Sequence, residues 1–395
     1  MYWTTSGIPS SLWLLRRGEP READAVVVGG GIVGLSAAWW LARLGGDGFR
    51  VVVLEQGNLA CRASGRNAGF LLTGTPQPFA SLVADLGRGP ALAMWERSRE
   101  NRELVRGELL DPGLVDCEFL PEGSWIASLA GTRQESDLAA SHQALAAEGF
   151  AVEWRDAAAV RAASGSEKLG GALFQARDGG LDPVRLCRGL AACGGFTVRA
   201  GVRVRELEPA GDRVRVVGDG AHFLTPRVVV ALNAYSTALL PHLADDVRAV
   251  RGQMLATDPP GDAGARRLEG VWYINEGHEY LRQLPDGTVV LGGARITAEA
   301  AEVGYLESPT AQVQGALDAF LASAFPHLAG PVRHRWAGTM AFTPDGLVLT
   351  GDVPDLPGAL YAAGFNGHGM SLGFAAGRWL ARRALGEDVG EFLSG

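Results

Sequence analysis

The sequence predicts an α/β protein whose two domains interleave along the chain. Three observations carry this. Residues 24–46, "DAVVVGGGIVGLSAAWWLARLGG", read as a strand, a glycine-rich turn and a helix. A buried strand returns at 228–231, and a strand, glycine turn and helix at 358–386. Between them lie an Ala-, Glu- and Arg-rich helical stretch from 86 to 171 and a strand-rich stretch from 247 to 300. A chain of 395 residues exceeds one ordinary core, so two cores are expected. The pattern divides the first domain into 22–85, 172–245 and 333–395, and the second into 86–171 and 246–332.

The elements are taken in chain order. Val26, Val27 and Val28 are a β-branched run that reads as a buried strand. Ala25 to Ala42 is uncharged, a length that raises a membrane helix. Gly29, Gly30 and Gly31 would break that helix, and the apolar run beyond them is too short to cross a bilayer. A helix is expected from near Ile32 to Leu44, stopped by Gly45-Gly46-Asp47-Gly48. Residues 50–55 form the next strand, and a strand–helix–strand start implies a parallel sheet. "ALAMWERSRENRELVRGELL" is helical by pattern, and "SDLAASHQALAAEGFAVEW" is a helix and then a strand. Asp182 as N-cap with Pro183 in the first turn starts another helix. From 196 the period switches to alternating strands, ending in Val228-Val229-Val230-Ala231. "EYLRQLPDGTVVLGGARI" reads as a hairpin around Asp286-Gly287. A helix is expected at 308–324.

Composition excludes several classes. Hydrophobic residues are 47% and charged residues 20%, which is globular rather than disordered. A formal net charge of −8 argues against broad nucleic-acid binding. Arg16-Arg17 and Arg382-Arg383 are short pairs that read as solvated faces. Cys61, Cys117, Cys187 and Cys193 form no CxxC pair, and His142, His222, His242, His278, His327 and His334 have no ligand spacing, so no metal site is expected. Scattered thiols and an N-terminus without a signal-peptide layout point to a reduced, cytoplasmic chain.

The opening stretch carries Gly29-x-Gly31-x-x-Gly34 between a strand and a helix. The first glycine permits the tight turn, the second lets a pyrophosphate approach the backbone, and the third lets helix and strand pack closely. The phosphates would rest on the positive helix N-terminus. Glu55 ends the second strand, 21 residues after Gly34, where a carboxylate accepts the ribose hydroxyls of an adenosine and disfavours a 2′-phosphate. The motif alone does not separate NAD from FAD.

Three further segments bear on that choice: "NLACRASGRNAGF", "VVVALNAYS" and "WAGTMAFTPDGLVLTGDVPDLPGALYAAGFNGHGMSLGFAAGRWLA". With the fingerprint, they resemble the FAD-dependent amine and amino-acid oxidoreductases of the D-amino-acid oxidase superfamily. That group includes glycine oxidase, monomeric sarcosine oxidase and the γ-glutamylputrescine oxidoreductases. The resemblance spans about residues 22 to 385. It implies a Rossmann-like FAD domain interleaved with a substrate domain built on a mostly antiparallel sheet. It implies cofactor contacts from Gly29, Gly31, Ile32, Val33, Gly34, Glu55, Gln56 and Ser64, and from Arg66, Asn67 and Ala68 at the flavin edge. Val204 by its backbone, Asn233, Gly338, Asn366, Gly367, His368, Gly369 and Met370 complete the set. Gly364, Gly367 and Gly369 would let backbone press on a flat ring, with the N-terminus of the next helix stabilising the reduced flavin. Cys61 reads as a small buried residue. The sarcosine oxidases tether flavin through a cysteine at the place of Gly338, so non-covalent FAD is expected here.

The departures concern the substrate. The arginine by which glycine and D-amino-acid oxidases hold a carboxylate falls within Gly338-Thr339-Met340-Ala341. The two lysines of the sarcosine oxidases fall at Ser371 and Val290. Arg282 offers a replacement: Tyr280 and Arg282 alternate on one face of a strand, so Arg282 would pair with a carboxylate and Tyr280 would wall the substrate. The opposite reading puts Arg282 on the outer sheet face. Arg251 is a further candidate, with Met340 beside it in the pocket. His368, taken with Tyr280 and Arg282 as the residues nearest the chemistry, is positional, because the neutral amine needs no base when its α-hydrogen leaves to the flavin. The reading is an FAD enzyme oxidising a C–N bond of an amine or N-substituted amino acid, with oxygen or another electron acceptor. The alternatives are an FAD enzyme acting on a 2-hydroxy acid, and a flavoprotein component without catalysis.

Overall fold

The Val26-Val27-Val28 run forms the strand Ala25–Val28, wholly buried, inside a six-stranded sheet. The protein is described by a computed structural model over residues 21–259 and 267–393. Arg16-Arg17 and the N-terminal stretch read above lie outside these residues. Across the six-stranded sheet the strands run Leu349–Asp352, Ala359–Ala363, Val228–Val230, Ala25–Val28, Val51–Glu55 and Thr197–Ala200. All neighbours are parallel except Leu349–Asp352 against Ala359–Ala363. One sheet therefore draws on the beginning, middle and end of the chain.

The helices Ile32–Leu44 and Gly369–Ala384 lock these pieces together. A Cβ on Gly377 would lie 2.5 Å from Ser36 Cβ and 2.6 Å from the Ala37 nitrogen. Only glycine allows this approach. Beside it, Trp39 and Trp40 meet Phe374, both with ring centroids 5.4 Å apart. Burial of such aromatic area drives the docking.

The second sheet has eight strands, in the order Val332–Phe342, Arg248–Thr257, Val289–Gly293, Glu279–Gln283, Val271–Ile274, Ser124–Leu129, Leu169–Gln175 and Glu153–Arg155. Every neighbouring pair is antiparallel except Val271–Ile274 with Ser124–Leu129, so the mostly antiparallel expectation holds. The hairpin around Asp286-Gly287 forms, with Tyr280 opposite Gly292. Val332–Phe342 pairs along its length with Arg248–Thr257. The passage to the six-stranded sheet thus comes after Phe342, not at 333, because those ladder bonds bind the strand to the second sheet. The expected helix at 308–324 begins at Ala311. No helix among the described residues is long and apolar enough to cross a membrane.

One long-range tie was not legible in the sequence. Asn101, fully buried in the helix Arg88–Val105, donates Nδ2–H to Met370 O at 3.0 Å and accepts from the Phe374 N–H at 2.8 Å. Those two groups are i and i+4 partners, so the Asn101 amide is inserted into the ladder at the start of the C-terminal helix. Asn101→Leu is expected to lower stability by about 1–3 kcal/mol through the lost network and the misfit side chain. Urea unfolding measures it; an unchanged midpoint would mean that the ladder simply recloses.

Candidate active site

A cavity of about 410 Å³ runs along the glycine turn to the start of the C-terminal helix. Gly29, Gly31, Ile32, Val33, Glu55, Gln56, Ser64, Val204, Asn233 and Gly369 line it. Gly29 has φ +114°, and a Cβ there would lie 2.5 Å from Ala231 O. Gly34 does not reach the cavity; its Cβ would lie 2.0 Å from Gly29 O, the close helix–turn packing read from the motif. Glu55 is fixed by its two oxygens, which accept from the Gly30 and Gly57 N–H groups, each at 2.7 Å. A carboxylate has about four lone-pair sites, so acceptor capacity remains. Ser64 Oγ accepts from the Ile32 N–H at 2.9 Å, joining the single helical turn Ala63–Arg66 to the start of the helix Ile32–Leu44.

A second cavity, of about 760 Å³, adjoins it. Ala63, Asn67, Met340, Gly367 and Met370 line both, so they mark the junction. Arg66, Ala68, Gly338, Asn366, His368 and Ser371 line the larger cavity near that junction. Polar side chains shape the walls from behind. Asn67 donates to Ala63 O and Ser64 O and accepts from the Gly69 N–H. Asn233 accepts from the Gly364 N–H at 3.1 Å, and Asn366, at φ +49°, accepts from the Thr343 N–H at 2.9 Å. Arg66 donates to Ala337 O at 2.9 Å and pairs with Glu307 at 2.8 Å. Glu307 also holds Arg62 and accepts from Tyr235 O–H at 2.8 Å.

The expected substrate residues divide. Tyr280, Met340 and His368 line the larger cavity; Arg251 and Arg282 do not. Arg282 is buried and donates to Leu181 O at 2.8 Å, with its guanidinium packed under Gly180. Arg251 pairs with Glu302 at 2.8 and 2.6 Å and donates to Ala301 O and Ser308 O. The expectation that either faces the pocket is corrected for one physical reason: each buried guanidinium has its acceptors elsewhere. Besides Arg66, the arginine that lines the larger cavity is Arg295, which sequence reading missed. Its only sequence signal is its place just after the hairpin, in "GGARI". Phe342 and Tyr273, also missed, line the same cavity.

A model of the FAD dependent oxidoreductase family matches residues 24–383. The chain belongs to this family. γ-Glutamylputrescine oxidoreductase of Escherichia coli K12 is 28% identical over 383 residues, covering 93% of this chain and 85% of that protein. Glycine oxidase of Pseudomonas aeruginosa is 28% identical over 372 residues, covering 92% and 95%. The solved glycine oxidase of Geobacillus kaustophilus has the same fold, with a TM-score of 0.77, 22% identity and coverage of 93% and 96%.

The residues of this FAD-dependent oxidoreductase fit the cofactor. Gly29, Gly30 and Gly31 bring bare backbone to the wall of the smaller cavity, where a Cβ would press on Ala231, Leu59 and Ser64, Glu55 is fixed beside them, and His368 Nδ1 is a buried polar atom without a hydrogen-bond partner among the described residues, beside the junction. Burial lowers the His368 pKa from 6.5 to about 4, so the imidazole is neutral at pH 7. The unfolded chain binds this proton more readily, so the associated stability is present above about pH 6.5 and is lost as pH falls toward 4. Melting temperature against pH checks this: His368→Asn is expected to lose less stability than wild type over that window. Parallel profiles would contradict it.

Proposed function

We propose that this FAD-dependent oxidoreductase oxidises the C–N bond of an amine or N-substituted amino acid, and that water then hydrolyses the imine. Bound FAD supplies the acceptor for the hydrogen and electron pair leaving the carbon beside nitrogen. The observation that carries the reading is the junction between the cavities. Its shared residues, Ala63, Asn67, Met340, Gly367 and Met370, are all uncharged. The adjacent His368 is a neutral, weak base. A neutral amine brings its own lone pair and needs no base, whereas a 2-hydroxy acid must lose its hydroxyl proton to one. The carboxylates lining the larger cavity, Asp85, Glu276 and Asp345, are exposed residues.

Gly29, Gly31 and Glu55 would hold the ADP half of the cofactor, and Gly367, Gly369 and Met370 its ring. His368 would donate or accept a hydrogen bond beside that ring without changing charge. Non-covalent attachment is part of the proposal. Cys61 lines neither cavity, and burial, with Glu55 nearby, pushes its thiol pKa up, which disfavours thiolate chemistry. The relatives' names, γ-glutamylputrescine oxidoreductase and glycine oxidase, support amine substrates. Four free cysteines support a reducing, cytoplasmic setting. The electrons pass to oxygen or to another acceptor. The test is product analysis after a single turnover: an aldehyde or keto acid, with one equivalent of released amine or ammonia per flavin reduced. A ketone product without nitrogen release would defeat the reading.

A further inference from the structure

We propose that Arg295 anchors a carboxylate of the substrate, and that this carboxylate lies several bonds from the carbon that is oxidised. The inference rests on the amine-oxidising reading above and adds the substrate's second recognition point. Of the residues lining the larger cavity, Arg66 and Arg295 carry permanent positive charge. Arg66 is committed to Ala337 O and Glu307. Arg295 makes no hydrogen bond or ion pair among the described residues. Its guanidinium lies 4.5 Å over the ring of Phe342, and burial lowers its pKa, with exposed Glu299 the strongest opposing charge. A guanidinium stacked on an aromatic face keeps its N–H edge free, and that edge matches a carboxylate in two parallel bonds. A partly desolvated cation with no anion in ion-pair contact among the described residues favours capture of one.

The strand Val332–Phe342 gives the distance. Gly338, Met340 and Phe342 lie on one face, two residues apart, and all line the cavity. Gly338 abuts Arg66, and Met340 Sδ lies 3.9 Å from a Cβ placed on Gly367. Arg295 covers Phe342, one strand repeat of about 7 Å beyond Met340. A carboxylate at Arg295 is therefore displaced from the junction by more than the single bond of an α-amino acid. Phe70, Tyr273 and Tyr280 form an aromatic wall on the same cavity, with centroids 5.2, 6.2 and 5.9 Å apart. That wall suits a methylene chain joining the two ends.

The test uses the FAD-loaded full chain, with two arms. In the binding arm, acetate, butyrate and glutarate are titrated against wild type, Arg295→Gln and Arg295→Lys, monitoring the flavin spectrum and calorimetric heat. Butyrate and glutarate are expected to bind wild type more tightly than acetate. Arg295→Gln should weaken them about 10- to 100-fold, and Arg295→Lys by less, since it keeps charge but loses the two-bond geometry. Equal binding to Arg295→Gln, with its flavin spectrum and melting unchanged, overturns the proposal. In the turnover arm, glycine, β-alanine, 4-aminobutyrate and 5-aminopentanoate are compared with the matching amines that lack the carboxylate. The longer aminocarboxylates should reduce the flavin best, with the advantage lost in Arg295→Gln. Preference for the bare amines overturns the Arg295 proposal but leaves amine oxidation standing. If none of these primary amines reduces the flavin, the binding arm alone decides Arg295.

Discussion

Glu302→Ala is expected to lower stability by about 3–5 kcal/mol, because it leaves the buried Arg251 guanidinium without its counter-charge. Arg251 and Glu302 are 5% and 0% exposed at their side chains. Two Arg251 nitrogens and Gln253 Nε2 donate to the Glu302 carboxylate. Burial alone would raise the Glu302 pKa, but these donors outweigh it and hold the carboxyl below its usual value. A carboxyl depressed in the folded state stabilises above its unfolded pKa, and that contribution disappears as pH falls through the folded value. Glu302→Gln should therefore flatten the acid limb of the stability curve. Chemical denaturation at several pH values measures both effects. A loss below about 1 kcal/mol would place the pair among those that contribute nothing measurable. The pair also fixes the segment Arg295–Glu302 against the strand Arg248–Thr257, so Glu302→Ala should loosen whatever Arg295 binds.

Gly34→Ala is the second large effect, and it acts on the cofactor. The new Cβ would lie 2.0 Å from Gly29 O and 3.3 Å from Val27 Cγ1. Backbone must move, and the backbone that moves is the glycine turn lining the smaller cavity, where the proposal places the ADP half of FAD. Overpacking of this kind costs about 1–3 kcal/mol. If that cost falls on the bound state, FAD affinity drops about 5- to 150-fold. FAD titration of the stripped protein checks it. Gly315→Ala is the control: nothing lies within 4 Å of its Cβ, and it sits inside the helix Ala311–Ala324, where alanine should stabilise by about 1 kcal/mol. Equal FAD affinity in wild type and Gly34→Ala would mean that the turn tolerates the shift.

Local rules made much of the fold legible. The helix Ile32–Leu44 and its glycine stop were read directly from the residues. Asp182 accepts from the Val184 and Arg185 N–H groups at 2.8 and 3.0 Å, as its N-cap position implied. These features depend on residues within one turn of each other. The site was less legible because its decisive partners are distant. Arg251 lies on a strand near the cavity, but Glu302, 51 positions away, takes its charge. Arg282 alternates with Tyr280 as expected, yet its guanidinium turns to Leu181, 101 positions away. Alternation gives the face of a sheet, not where along that face the cavity ends. Asn101 looks like an unremarkable polar residue in "RSRENRELV", and only the fold brings it to Met370. Arg295 carries no motif; the hairpin and the Phe342 ring make it part of the pocket.

The most direct test of the whole account is anaerobic mixing of the purified, FAD-loaded protein with two matched panels, one of amines and aminocarboxylates and one of 2-hydroxy acids. The neutral junction and the family predict that the yellow of the oxidised flavin bleaches with members of the amine panel and persists with every hydroxy acid. Bleaching by hydroxy acids alone would contradict C–N oxidation, and a colourless protein that cannot be reconstituted with FAD would contradict the assignment of the glycine-lined cavity itself.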